Sequence, residues 1–127
     1  MDTTNNKIMI IDDDEDSTNL FKIFLEFHGY EIHAYTDSIE AFHNFRKDSH
    51  DLIILDLHMP KMDGITLYKE MRHIDDNVII CLTSADINYI EEFSKDIIDI
   101  KKFVIYKPVS LKDLKNKIES FLLYKQQ

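Results

Sequence analysis

Aspartates close two of the most apolar runs of this 127-residue chain. Lys7-Ile8-Met9-Ile10-Ile11 leads into Asp12, Asp13 and Asp14, and Leu52-Ile53-Ile54-Leu55 leads into Asp56. A carboxylate directly after four apolar residues incurs desolvation unless something pairs with it. Two other runs end in complementary types: Val78–Leu82 in Thr83, Ser84 and Ala85, and Phe103–Tyr106 in Lys107 and Pro108. Brought together, these ends form a set of carboxylates with a hydroxyl and an ammonium. Crowded carboxylates repel, and a divalent cation relieves that repulsion. Hard oxygen ligands suit Mg²⁺. A carboxylate such as Asp56 can attack phosphorus and form an aspartyl phosphate. The transferring group then needs positive charge and donors, which Mg²⁺, Lys107 and the Thr83 hydroxyl can supply.

The elements that must position this set alternate along the chain. After the first run, Leu20, Phe21, Phe24, Leu25 and Phe27 recur at helical spacing, and the helix stops at Gly29. Glu31–Tyr35 predicts a short alternating strand. A second helix is expected over Ser38–Lys47, capped by Asp37 or Ser38, with Ile39, Phe42 and Phe45 on one face. Leu52–Leu55 lacks polar alternation, as in a strand covered on both faces. Met59-Pro60-Lys61-Met62-Asp63-Gly64 reads as a loop. A third helix carries Ile65, Leu67, Tyr68 and Met71. Val78–Leu82 is a fourth strand, and a weaker helix spans about 87–98 with Tyr89, Ile90, Phe93 and Ile97 as its apolar face. Phe103–Tyr106 is the fifth strand, and Leu111, Leu114, Ile118, Phe121 and Leu122 mark a final helix. Repeated strand–helix units predict an α/β fold, a parallel sheet with helices on both faces. In such sheets ligands bind beyond the carboxyl ends of the strands, so all the residues above converge on one rim.

Composition bounds the rest. The length suits one domain, expected over residues 7–124, with residues 1–6 as a disordered tail and 125–127 as a second loose end. The net charge is −9, with 24 acids against 15 bases, which argues against nucleic acid and against an anionic membrane surface. No apolar run is long enough for a membrane span, and Met1–Asn6 lacks a signal pattern. Cys81 is the only cysteine and sits among apolar residues, which predicts a core thiol in a reducing, cytoplasmic setting.

Four segments together resemble the receiver domains of two-component response regulators: Ile10–Asp14, Asp51–Gly64 (ending Met59-Pro60-Lys61-Met62-Asp63-Gly64), Leu82–Ala85 and Tyr106–Pro108. The resemblance covers about Lys7 to Tyr124. It implies a flavodoxin-like (βα)5 receiver fold with a five-stranded, doubly wound sheet, and phosphorylation of Asp56. Asp13 and Asp56 would ligate Mg²⁺, with the backbone carbonyl of His58 as a third ligand and Asp12 acting mainly through water. Lys107 would hold a phosphoryl oxygen before a cis Lys107–Pro108 bond. Thr83 would swing to the phosphoryl group and report its presence to the face formed by the fourth helix, fifth strand and fifth helix. The implied function is that of a stand-alone receiver that catalyses its own phosphotransfer and dephosphorylation without being an enzyme on a separate substrate. The implied partners are a histidine kinase or histidine phosphotransfer protein and a target protein, with the chain a monomer or a weak phosphorylation-dependent dimer.

The chain departs from the family pattern in places. Val104 stands where most receivers carry an aromatic three residues before the lysine. Alternation puts Tyr106 on the same face, about 6.6 Å along the strand, so either Tyr106 replaces the missing aromatic or Val104 is simply core and the switch is weak or absent. Asp96–Lys102 replaces the usual small Gly-Ala turn, so the fourth helix and its loop are expected to be longer or differently shaped. Ser84 stands where Ala or Gly is common. His58 and Ala85 are expected to flank the phosphoryl group and tune its lifetime. Asp14, Glu15 and Asp16 are better explained as a solvated helix start than as direct metal ligands. The histidines show no metal spacing and read as surface residues or caps. A haloacid-dehalogenase-like phosphatase would want a second Asp where His58 stands, and a flavodoxin-type cofactor domain would want a Ser/Thr/Gly phosphate loop after strand one. A pseudo-receiver would not need Asp12, Asp13, Asp56, Thr83 and Lys107 together.

Overall fold

In the computed structural model, which describes residues 6–59, 61–95 and 102–125, five parallel strands alternate with five helices. The strands are β1 (Lys7–Ile11), β2 (Glu31–Tyr35), β3 (Leu52–Asp56), β4 (Ile79–Ser84) and β5 (Val104–Tyr106). The helices are α1 (Glu15–Phe27), α2 (Ser38–His43), α3 (Gly64–Ile74), α4 (Ile87–Ser94) and α5 (Leu111–Lys125). The sheet order is β2-β1-β3-β4-β5, the doubly wound arrangement expected of βα repeats.

Side-chain parity splits the core into two layers. Ile8, Ile10, Leu52, Ile54, Ile79, Cys81 and Ile105 pack with Leu25 of α1 and Leu114 and Ile118 of α5. Met9, Ile11, Ile53, Leu55, Ile80 and Leu82 pack with Ala41 of α2, Leu67 and Met71 of α3 and Ile90 of α4. Every residue of β3 and β4 is buried, which explains their unalternating sequences. Each buried Leu or Ile contributes about 1.5–3 kcal/mol, so these strands form a stiff floor under the loops at their carboxyl ends. Cys81 is one of these core residues, its thiol pushed up by burial. Among the described residues no helix is long and apolar enough to cross a membrane.

Several boundaries differ from the sequence reading. α2 ends at His43, not Lys47: the N–H groups of the C-cap Asn44 and of Phe45 reach back three residues, to the Ala41 and Phe42 carbonyls, in a tightened last turn that does not continue. Ile39 is exposed and does not share an inward face with Phe45. Of the apolar residues of α1, Leu25 is buried and Phe21 and Phe24 half-buried, while Leu20 and Phe27 face solvent. α1 stops at Phe27, with His28 as its C-cap and Gly29 at a φ of +94°. β3 and β4 extend through Asp56 and Ser84, so those residues are held by the sheet itself. α4 is assigned to Ile87–Ser94. The tail 1–6 as far as Asn5, Pro60, the Phe93 side chain, Ile97 and the Asp96–Lys101 part of the approach to β5 lie outside the described residues, as do the end residues 126–127 and the Lys125 side chain.

Candidate acidic phosphoacceptor site

The acid loop after β1 is fixed by its own hydrogen bonds. Asp12 is buried, and its Oδ1 accepts the Asp14 N–H at 2.9 Å. Asp14 caps α1, accepting from the backbone N–H groups of Asp16 and Ser17 and from the Ser17 hydroxyl. Those bonds, the Ser17 hydroxyl first, hold the Asp14 carboxyl below its ordinary range. Asp14, Glu15 and Asp16 thus fit the helix-start reading. A residue missed from sequence helps: buried Thr18 donates its hydroxyl to the carbonyls of Asp12 and Asp14, tying α1 to the acid loop. Its signal was a polar residue on the inward side of an amphipathic helix.

Asp56 lies across the sheet from this loop. It pairs in register with Thr83, and its Oδ1 accepts the His58 N–H at 3.0 Å. One carboxylate oxygen each from Asp12, Asp13 and Asp56 lies within 4.8 Å of the others. Asp13 is exposed, so the cluster opens to solvent on that side. The Lys107 ammonium, positioned by its backbone bond to the Ser84 carbonyl, donates to Asp12 Oδ2 at 2.8 Å and lies 3.5 Å from Asp56 Oδ2. The Lys107–Pro108 bond is cis, as the resemblance implied.

The electrostatics are unbalanced. Burial raises the Asp56 pKa, the His58 N–H opposes that, and the Asp12 charge raises it again. Burial alone would lower the Lys107 pKa, but its bond to Asp12 and the charges of Asp12 and Asp56 outweigh that and raise it. The lysine is therefore held cationic, and its one charge sits against Asp12 and Asp56, two of the three clustered acids. Oxygen donors at this spacing fit a hard divalent cation.

The remaining sequence candidates are nearby. The Thr83 hydroxyl is buried and turned toward the Leu55 carbonyl at 3.5 Å. Ser84 and Tyr106 are register partners; Ser84 is fully buried and Tyr106 is 41% exposed. Val104 packs half-buried against the α2–α4 layer. The His58 ring reaches Ser84 Oγ at 3.1 Å, a contact not expected from sequence. Gly64 is also essential. A Cβ there would lie 2.5 Å from Leu57 Cα and 2.8 Å from the Asp56 carbonyl, so only glycine lets α3 start against the end of β3.

The profile of the response regulator receiver domain matches residues 8–119. The chain belongs to this receiver family. It is 32% identical over 118 residues to the regulatory protein VanRB of Enterococcus faecalis, covering 91% of this chain and 52% of that protein. It is also 32% identical over 120 residues to the transcriptional regulatory protein RprY of Bacteroides fragilis, covering 91% and 49%. The receiver thus spans about half the length of these curated relatives. A two-component response regulator from Clostridium difficile superposes with a TM-score of 0.82 at 26% identity, covering 97% of this chain and 99% of that one. A CheY-like receiver domain protein from Methanospirillum hungatei gives a TM-score of 0.82 at 23% identity, with 97% and 98% coverage, and shows the shared fold. The expectation of no nucleic-acid partner finds no support here, because the acidic balance describes these residues and not the additional length of the relatives.

One further expectation is corrected. His50 is neither a surface residue nor a cap but is buried. It bonds His33 Nδ1 through its Nε2 and Ser49 Oγ through its Nδ1, both at 2.8 Å, and stacks on Phe45. Burial first, then the neighbouring His33, lowers its pKa to about 4.

Proposed function

We propose that this receiver accepts a phosphoryl group on Asp56 from a histidine kinase or histidine phosphotransfer protein and transmits the modified state to a protein target or onward along a relay. The observation that carries this reading is the clustering of the Asp12, Asp13 and Asp56 carboxylates, with the Lys107 ammonium bound to Asp12 and beside Asp56. Asp12, Asp13, Asp56 and the His58 carbonyl would hold Mg²⁺, which supplies charge neutralisation for an incoming anionic donor. An Asp56 oxygen forms the new bond to phosphorus as the bond from phosphorus to the donor's leaving group breaks. Lys107 neutralises one phosphoryl oxygen. The Thr83 hydroxyl leaves the Leu55 carbonyl, to which it is only weakly held, and donates to another. Water later hydrolyses the acyl phosphate and returns the carboxylate, so the domain needs no separate substrate. Tyr106, beside Ser84, stands in for the aromatic missing at Val104. The setting is cytoplasmic, the domain working as a monomer or a weak phosphorylation-dependent dimer, and the receiver acts alone or joined to an output domain.

Incubation with Mg²⁺ and acetyl phosphate tests this by intact mass. A hydroxylamine-labile phosphoryl adduct should form, and should be missing from Asp56→Asn and in the presence of a chelator. No adduct in the native chain would remove the reading in favour of a pseudo-receiver.

A further inference from the structure

We propose that His58 is a positioning residue that ties the acceptor carboxylate to helix α4, its backbone holding Asp56 while its imidazole holds Ser84 and lies against Tyr89. This rests on the reading of Asp56 as acceptor and adds a route by which that site is read. The contacts run in sequence. The His58 N–H donates to Asp56 Oδ1 at 3.0 Å, and His58 Nε2 meets Ser84 Oγ at 3.1 Å. Ser84 Oγ accepts the Asp86 N–H at 2.9 Å and donates to the Asp86 carbonyl at 3.3 Å. The Asp86 side chain accepts the N–H groups of Asn88 and Tyr89 at 3.0 and 3.2 Å, closing the first turn of α4. The His58 and Tyr89 ring centroids lie 4.5 Å apart.

The hydroxyl has one proton, and that proton goes to the Asp86 carbonyl. With the imidazole in its Nε2–H tautomer, His58 is then the donor to Ser84. A strand-end serine held from three directions fixes where α4 begins. The position commonly filled by Ala or Gly thus carries a contact that neither could make.

Phosphorylation changes both ends of this link. Acyl phosphate formation redistributes charge on the carboxylate that the His58 N–H holds, and it brings anionic oxygens to the same loop. Charge-assisted acceptors outcompete a hydroxyl for a donor. The Nε2–H group then leaves Ser84, the ring leaves Tyr89, and the first turn of α4 is released. This link reaches α4 without using Val104.

Amide NMR with Mg²⁺ and beryllofluoride, a phosphoryl mimic, tests it, with bound beryllofluoride counted by fluorine NMR. In the native chain the adduct should shift the Asn88 and Tyr89 amides. Ser84→Ala should bind the mimic equally, while the α4 shift per adduct falls roughly fivefold, the low end for coupled sites. His58→Leu should match Ser84→Ala per bound beryllofluoride, and the double variant should lose no more than either. His58→Gln, which keeps a side-chain N–H, should restore part of the response. Without the mimic, His58→Leu should exchange the Asn88 and Tyr89 amides about fivefold faster, as on loss of a capping contact. An undiminished α4 response per adduct in His58→Leu and Ser84→Ala overturns the link and leaves the acceptor reading standing. No adduct in the native chain overturns the acceptor reading and the link with it.

Discussion

Two buried aspartates sit near opposite ends of the sheet, and their surroundings differ in kind. Asp75, between α3 and β4, accepts backbone N–H bonds from Asp48 at 3.0 Å, Asn77 at 2.9 Å and Val78 at 3.2 Å. It stitches the loop before β3 to the loop before β4. Asp56, at the other end of β3, accepts one backbone N–H and otherwise faces two acids and a lysine already bound to Asp12. Burial alone therefore does not mark a reactive carboxylate. What separates the two is how completely the charge is satisfied.

Exchanging the two acids should give opposite results. Asp56→Asn should abolish the phosphoryl adduct while raising the urea midpoint slightly, because it removes a like charge beside Asp12 and leaves Lys107 paired. Asp75→Ala should keep the adduct but destabilise by about 3 kcal/mol, since several backbone donors lose their acceptor. Urea denaturation with intact mass on both variants checks the pair; a stability loss in Asp56→Asn matching that of Asp75→Ala would erase the distinction.

Gly64→Ala sharpens the Asp56 side. The added methyl would meet the backbone at Leu57 and the Asp56 carbonyl, so a loss of about 2–3 kcal/mol is expected. The adduct should form more slowly at temperatures where the variant remains folded, because the end of β3 must shift. Stopped-flow or mass kinetics against the native chain measures this.

The buried His50, paired with the half-exposed His33, extends the comparison to pH. His50 binds protons less readily folded, at about 4, than unfolded, near the ordinary 6.5. Between those values the unfolded chain holds more protons, so this contribution is present above about pH 6.5 and is lost as pH falls toward 4. Its full size is on the order of 3 kcal/mol. His50→Phe should flatten that part of the acid limb relative to the native chain, as urea midpoints at pH 7 and 5 would show. The groups around the pair, Glu31, Lys7 and Asp51, keep their own contributions in both proteins. A smaller effect is expected of Tyr106→Ala, which should reduce the beryllofluoride response at α4; an intact response would mean that Tyr106 does not replace the aromatic missing at Val104.

The same contrast explains what was legible in the sequence. Asp56 stands out because an acid follows a strand with no polar alternation, and Asp12, Asp13, Thr83 and Lys107 end strands of the same kind. Parallel topology then brings them together. Asp75 follows a helix and precedes Asp76 and Asn77, so its sequence context reads as an ordinary polar turn. One of its partners, the Asp48 N–H, comes from 27 residues away, and only tertiary structure supplies it. His50 escapes a sequence reading for a similar reason: polar neighbours Ser49 and Asp51 hide a side chain buried against Phe45. The early end of α2 lies in a last turn whose N–H groups reach back three residues, which a helical count of Ile39, Phe42 and Phe45 does not reveal. The His58–Ser84 contact joins residues 26 apart on two adjacent strand ends and leaves no local pattern.

The most direct test of the central claim locates the phosphoryl group. After Mg²⁺ and acetyl phosphate, borohydride reduction converts an aspartyl phosphate to homoserine, which peptide mass spectrometry reads by position. The crowded, under-satisfied carboxylate should be the one converted, with the label at position 56 and position 75 unchanged. Label at Asp12, Asp13 or Asp75 in place of Asp56, or no label at all, would contradict it.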